Sequence, residues 1–248
     1  MEQADLLISR MEDLSKTAMK TGSAASRFLT PTQAHVVSNY FKHKGVSLSF
    51  EGGFDDAERV RAVFLNPEWG KYDNAALFSA LVFEFRPQDT LGHRDILGSL
   101  MALGIERDTV GDIVVVDNTA TIVCLPELSR YIMENLIKAG RVGITAKEIS
   151  VDELPSRQEE MRIKTDTVAS QRLDAILSAA FRLSRAKASE LITAGNASLD
   201  YQVCMQPTKE VSEGSLISVR GLGRAKVLEI GGTSRKGRMF VRLGLYKR

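Results

Sequence analysis

Arg182, Arg185 and Lys187 crowd together just downstream of Arg172 and Asp174. Cations gathered this way, with one carboxylate among them, suit the gripping of a polyanion rather than bond-breaking chemistry. The stretch that must position them runs from Gln171 to Gly195 and reads as two short helices joined by a tight elbow. In the first, Leu173, Ile176, Leu177, Ala180 and Phe181 recur at helical spacing and form one apolar face. In the second, Ala188, Leu191 and Ile192 form the inner face. Ser184 stands where an N-cap belongs, and Gly195 where a left-handed residue would stop the helix. Three cations at a helix N-terminus oppose the helix dipole, which favours anions there. An anion bound from outside would resolve that conflict, met by the helix end and the Arg forks together.

After Gly195, the segment Asn196 to Tyr201 alternates like a strand. Ile217 to Arg224 reads as a strand entering a Gly-rich turn flanked by Arg220 and Arg224. The loop Gly231 to Gly237 places Arg235 and Lys236 on its tip. Such a loop either follows a phosphate backbone or stands as a solvated hairpin, so the elbow is the stronger candidate. The order R-L-D, S-R-x-x-A, L-I-x-x-G and I-x-V-R-G-x-G-R resembles the S-four RNA-binding domain, named after the fourth protein of the small ribosomal subunit. The resemblance implies that Arg172, Arg182, Arg185 and Lys187 contact phosphates and that Asp174 orients the Arg side chains. Ser184, Arg220, Arg224, Arg235 and Lys236 complete the candidate RNA-binding set. The family commonly ends its first strand in Val-Asn-Gly, whereas this chain has Leu199-Asp200-Tyr201.

Charge agrees with this placement. The 248 residues carry a net charge of +2. From Asp166 onward, fourteen Lys and Arg stand against seven Asp and Glu, so this part is +7 and the preceding residues are −5. A near-neutral total hides a basic C-terminal third, the electrostatic footprint of a nucleic-acid binder. The two cysteines, Cys124 and Cys204, lie far apart without a C-x-x-C, which argues against a disulfide framework or a Cys-type zinc site. Cys124, in an apolar run, reads as a small buried hydrophobe. No apolar run reaches the roughly eighteen residues of a membrane span, and no signal core opens the chain. The expected location is the cytoplasm.

The expected fold class is α+β, in three parts joined by a linker. Residues 1–74 form an N-terminal α+β unit: a helix Glu2 to Lys20, a capped helix start at Thr30-Pro31-Thr32-Gln33, and a hairpin from Val46 to Phe50 and Arg59 to Leu65. Residues 75–150 follow the split βαββαβ plan of ferredoxin-like and RRM domains. Its parts are a strand Ala75 to Phe85, a helix His93 to Leu103, a hairpin Asp112 to Val116 and Thr121 to Leu125, a helix Ser129 to Ala139, and a strand Val142 to Ile149. RRM domains stack bases on sheet aromatics. Here the outer aromatics are expected to be Phe83 and Phe85, and the RNP signature is absent, so the plan does not itself bring RNA binding. Residues 151–165 read as the linker, and residues 166–248 as the basic domain, with strands Ser215 to Arg220, Ala225 to Ile230 and Arg238 to Leu243.

The run from Leu91 to Ile113, L-G-H-R-D-I-L-G-S-L-M-A-L-G-I-E-R-D-T-V-G-D-I, and the turn E-G-G-F before A-E-R-V-R-A-V-F are distinctive. Together with the C-terminal motifs they resemble the YlmH family of bacterial S-four proteins, over essentially the whole chain. The resemblance implies an RNA-binding protein acting on large ribosomal subunits that still carry peptidyl-tRNA, in rescue of stalled translation. A link to cell division accompanies the family name.

Enzymatic alternatives find little support in the residues. His93, Arg94 and Asp95 are adjacent on one helix and point about 100° apart, so they do not converge. His35 and His43 lie in a different unit, and Asp112 beside Gly111 reads as a turn residue. R-L-D also surrounds the catalytic aspartate of pseudouridine synthases, but here it opens the elbow. Gly221-Leu222-Gly223 lacks the helix that a methyltransferase cofactor loop needs. The expectation is a monomeric, non-enzymatic binder of rRNA or tRNA, without cofactor, metal, small-molecule substrate or membrane. An RNA-modifying enzyme and a cell-division adaptor are the alternatives.

Overall fold

The computed structural model describes residues 2–55, 57–154, 161–234 and 237–246. It divides into two compact units, Met1–Arg157 and Gln158–Arg248.

The first unit opens with α1 (Glu2–Thr21), β1 (Ser23–Leu29), α2 (Pro31–Phe41), β2 (Ser47–Glu51) and β3 (Val60–Leu65). The strands make a sheet in the order β1-β3-β2. At the start of α2 the Thr30 hydroxyl accepts from the Gln33 amide, and the Gln33 side chain accepts from the Thr30 amide, the reciprocal cap that the sequence predicts. Met11, Ala18, Val37 and Phe41 pack on Phe64 and Leu29 at one face of this sheet.

Then come α3 (Asn74–Leu77), β4 (Ser79–Glu84), α4 (His93–Ala102), β5 (Val110–Val116), β6 (Thr119–Cys124), α5 (Pro126–Asn135), β7 (Lys138–Ala139), β8 (Val142–Gly143) and β9 (Thr145–Ile149). The sheet order is β5-β6-β4-β9, with all pairs antiparallel. Ile96, Leu100 and Ile132 from α4 and α5 bury Leu81, Ile113 and Ile122 on one sheet face.

Several boundaries differ from the sequence reading. The strand expected from Ala75 begins at Ser79, after one helical turn. The helix expected over Ser129 to Ala139 starts at Pro126, where proline suits a first helical turn, and ends at Asn135. The residues beyond it form the small β7–β8 hairpin around Gly140, whose φ is +58°. Phe83 and Phe85 are not outer aromatics: they are buried in the core under α4 and α5. On the opposite face, Val123 packs with Phe28 and Val63 from β1 and β3. The surface that an RRM offers to bases is thus partly covered, and the parts expected at 1–74 and 75–150, each with its own core, are joined by this further cluster.

The second unit comprises β10 (Met161–Val168), α6 (Leu173–Phe181), α7 (Arg185–Thr193), β11 (Ala197–Leu199), β12 (Gln202–Val203), β13 (Leu216–Val219), β14 (Gly223–Thr233) and β15 (Met239–Tyr246). These strands form one sheet, β10-β15-β14-β13-β11-β12. Strand β10 begins inside the stretch expected as linker and pairs with β15 along its whole length. Leu173, Ile176, Leu177, Ala188 and Ile192 from the two helices are fully buried against Ile217, Val227, Val241 and Leu243. Each of these Leu, Ile and Val side chains contributes about 1.5–3 kcal/mol.

Candidate nucleic-acid interface

The elbow is set by local signals. Helix α6 ends where Arg182 turns left-handed, at φ +55° and ψ +45°. The Leu183 amide closes the turn on the Ser178 carbonyl at 3.1 Å, and the Ser178 hydroxyl donates to the Leu183 carbonyl at 2.6 Å. Ser184 then caps α7, its hydroxyl accepting from the Lys187 amide at 3.1 Å. At the other end Gly195 has φ +71°, and its amide and that of Asn196 close on Ile192 and Leu191. A left-handed arginine costs about 1 kcal/mol relative to glycine. Here it places an exposed cation at the bend, with no ion-pair partner among the described residues.

Asp174 is the centre of the charge arrangement. It sits in the first turn of α6 and is 5% exposed. Arg172 holds it bidentately, Nε to Oδ1 at 3.2 Å and Nη2 to Oδ2 at 2.9 Å. Arg185 reaches across the elbow and spans both oxygens with Nη2, at 3.0 and 3.1 Å. Burial by itself would raise the Asp174 carboxyl. Hydrogen bonds from Arg185 and then Arg172 outweigh it and hold the carboxyl below its ordinary range. The two Arg side chains stay 41% and 48% exposed. A guanidinium has five N–H donors. Arg185 thus keeps Nε and Nη1 away from these bonds, and Arg172 keeps Nη1. One buried carboxylate fixes two half-exposed forks, and the trio retains a net positive charge.

Part of the conflict posed at the start of α7 is therefore resolved inside the protein. Of the three cations there, Asp174 offsets Arg185, and Lys187 pairs with Glu190 at 2.7 Å on the exposed surface. The remaining candidates fall at the far end of α7. This helix has nine residues, hence a length of about 13 Å. At that end a cleft of about 540 Å³ is lined by Gly195, Asn196, Val203, Arg220, Gly223 and Arg224, among others. The Arg220 amide donates to the Asn196 carbonyl at 2.9 Å, tying the end of β13 to the end of α7. Arg224 lies over the Tyr246 ring, 4.8 Å from its centroid. The structure thus brings Arg172, Asp174, Ser184, Arg185 and Lys187 together and places Arg220 and Arg224 in a second group. Arg235 and Lys236 lie outside the described residues. Sequence reasoning missed Asn196 and Val203 as cleft walls, because a cleft between a helix end and a strand turn has no periodicity to read.

In the first unit, Asp95 accepts from the Gly92 amide at 2.8 Å, so the carboxylate of His93-Arg94-Asp95 caps a helix. Asp112 is not a turn residue. It lies in β5, is 6% exposed, and accepts from the Glu58 amide at 2.7 Å and the Arg59 amide at 3.2 Å. Burial pushes the Cys124 thiol up to about 12. Among the described residues, no group of three or more His, Cys, Asp or Glu is placed to hold a metal ion. No described helix is long and apolar enough to cross a membrane.

The chain is thus mixed α+β, with an anchored arginine pair in its basic unit. Residues 84–153 match the family model described as a putative RNA-binding domain in YlmH. The chain is 30% identical over 218 residues to the ribosome-associated protein quality control protein P2 of Bacillus subtilis (strain 168), covering 86% of this chain and 84% of that protein. A solved structure, the cell division protein ylmH from Streptococcus pneumoniae, aligns with a TM-score of 0.48 at 26% identity, over 61% of this chain and 90% of that one. The chain belongs to the YlmH family.

Proposed function

We propose that the protein is a non-enzymatic RNA-binding factor whose C-terminal unit is an S-four-type module docking on folded rRNA or tRNA. Its target is the large ribosomal subunit carrying peptidyl-tRNA, and it acts as a monomer in rescue of stalled translation. The ribosome-associated quality-control relative supports the setting. The observation that carries the reading is the buried Asp174 holding Arg172 and Arg185 half-exposed on one side of the elbow. Anchored guanidiniums lose little side-chain freedom on binding, so the donors they keep suit phosphate contacts. Double-helical RNA offers little readable base edge, so affinity comes from phosphate neutralisation and shape. Contact with about five phosphates gives a log–log salt slope near −4.

Co-sedimentation with purified large subunits tests the reading. Wild type should pellet with the subunits, and Arg182→Glu with Arg185→Glu should leave most of the protein in the supernatant. Equal pelleting of both would sink it. Mass spectrometry of rRNA from cells lacking the protein should find every modification intact. A missing modification would replace this reading with that of an RNA-modifying enzyme.

A further inference from the structure

The sheet of the second unit has two faces, and the helices take one. Val227, Val241 and Leu243 pack against α6 and α7. Lys164 on β10 points the same way, its ammonium donating to the Ala179 carbonyl of α6. Alternation along the strands puts the intervening residues on the other face. There the register sets Thr165 and Thr167 of β10 beside Arg242 and Phe240 of β15, and those beside Glu229 and Gly231 of β14.

Phe240 is 42% exposed. Its cross-strand neighbours leave it so, because Thr167 is small and Gly231 has no side chain. A Cβ at the next glycine, Gly232, would lie 3.5 Å from Cδ2 of the ring, so the ring leans toward these glycines. Cations stand on either side of it along the chain. Arg242, two residues on and on the same face, is half-exposed and meets Glu229 at 3.5 Å, a loose surface pair. Arg238 donates to the carbonyl of Thr167, the residue paired with Phe240, at 2.5 Å. Among the described strand residues, the charges on this face are Arg224, Lys226, Arg242 and Glu229, three cations to one anion. A positive face favours a polyanion over a protein as the occupant. An exposed ring between cations matches a flat nucleobase next to its own phosphates. The ring also stands at the end of the sheet from which the elbow starts. Its partner Thr167 precedes Arg172 by five residues, so their Cα atoms lie within about 18 Å of each other. One RNA can therefore reach both.

We propose that Phe240 is a stacking platform for one unpaired base of the bound RNA, on the sheet face opposite the helices, and that Arg238 and Arg242 take the phosphates beside it. This rests on the RNA-binding reading above and adds that the target carries an unpaired nucleotide close to the part gripped at the elbow.

The test compares full-length wild type, Phe240→Leu and Phe240→Tyr by fluorescence anisotropy on two RNAs: a stem with an unpaired loop and a fully paired duplex of equal length. Leucine keeps an apolar cover over Gly231 and Gly232 but offers no flat face to a base. Phe240→Leu should bind the looped RNA about fivefold more weakly and the duplex within about twofold of wild type. Phe240→Tyr should keep wild-type affinity for both. Arg242→Gln should bind the looped RNA with a log–log salt slope shallower by about 0.7. Undiminished binding of the looped RNA by Phe240→Leu would overturn the platform and leave the ring as a cover for the glycines or a contact for a protein. Equal losses on both RNAs would overturn it too, and an unchanged slope for Arg242→Gln would mean that no phosphate sits beside the ring. If wild type binds neither RNA, the broader RNA reading fails; if only the platform is wrong, wild type still binds both.

Discussion

Each unit of this protein contains two arginines around one buried aspartate, and the two clusters spend their donors differently. In the first, Asp112 accepts main-chain amides of residues 58 and 59. Arg59 donates to the carbonyls of Val110, Phe28 and Arg107, and Arg107 to those of Val110 and Gly111. Burial, then the neighbouring Arg59, pulls the Arg107 guanidinium down to about 10, with Asp112 opposing. These arginines spend their donors on the fold. In the second, Asp174 takes both Arg172 and Arg185 directly, and half of each side chain stays in solvent. The same trio, two arginines and one aspartate, therefore cements one unit and leaves donors exposed on the other. What decides is whether the donors end on main-chain carbonyls or on a carboxylate that leaves some of them over.

That contrast can be broken by experiment. The largest effect is expected for Asp112→Ala, which strands two inward amides and should cost about 3 kcal/mol in urea unfolding. RNA affinity of the folded protein should not change. Next, Asp174→Asn should cost about 2 kcal/mol, because both partners are half-exposed and water shares the loss. It should also weaken binding to structured RNA about fivefold while raising the net charge by one. Tighter binding would show that bulk charge, not anchoring, governs the site. A smaller effect concerns pH. The folded-state pKa of Asp174 is lowered, so its contribution to stability is present above the unfolded value of about 4 and is lost as pH falls through the lower folded value. Asp174→Asn should therefore flatten the acid limb of the stability profile by about 1 kcal/mol.

The elbow was legible because its signals are local. The apolar spacing from Leu173 to Phe181, the Ser184 cap and Gly195 each act within one or two turns, and all stand where expected. That Asp174 would orient arginines was also legible, from R-L-D and the resemblance it carries. What escaped reading depends on distant partners. Asp112 looks like a turn residue until β5 places it against residues 58 and 59. Strand β10 reads as linker because it is an edge strand, paired among the described residues with β15 alone, and edge strands need little apolar alternation. Ile163 on it is 53% exposed. Phe83 and Phe85 read as outward-facing from the sequence, yet are buried, because a strand's period gives two faces without saying which one the helices cover.

The most direct measurement is the salt dependence of RNA binding by wild type and Arg185→Gln, titrated against a structured rRNA fragment by filter binding. The account predicts about a tenfold loss of affinity and a log–log slope shallower by about one, since one anchored phosphate contact is removed. Identical affinities and slopes for the two proteins would mean that the guanidinium held by Asp174 touches no phosphate.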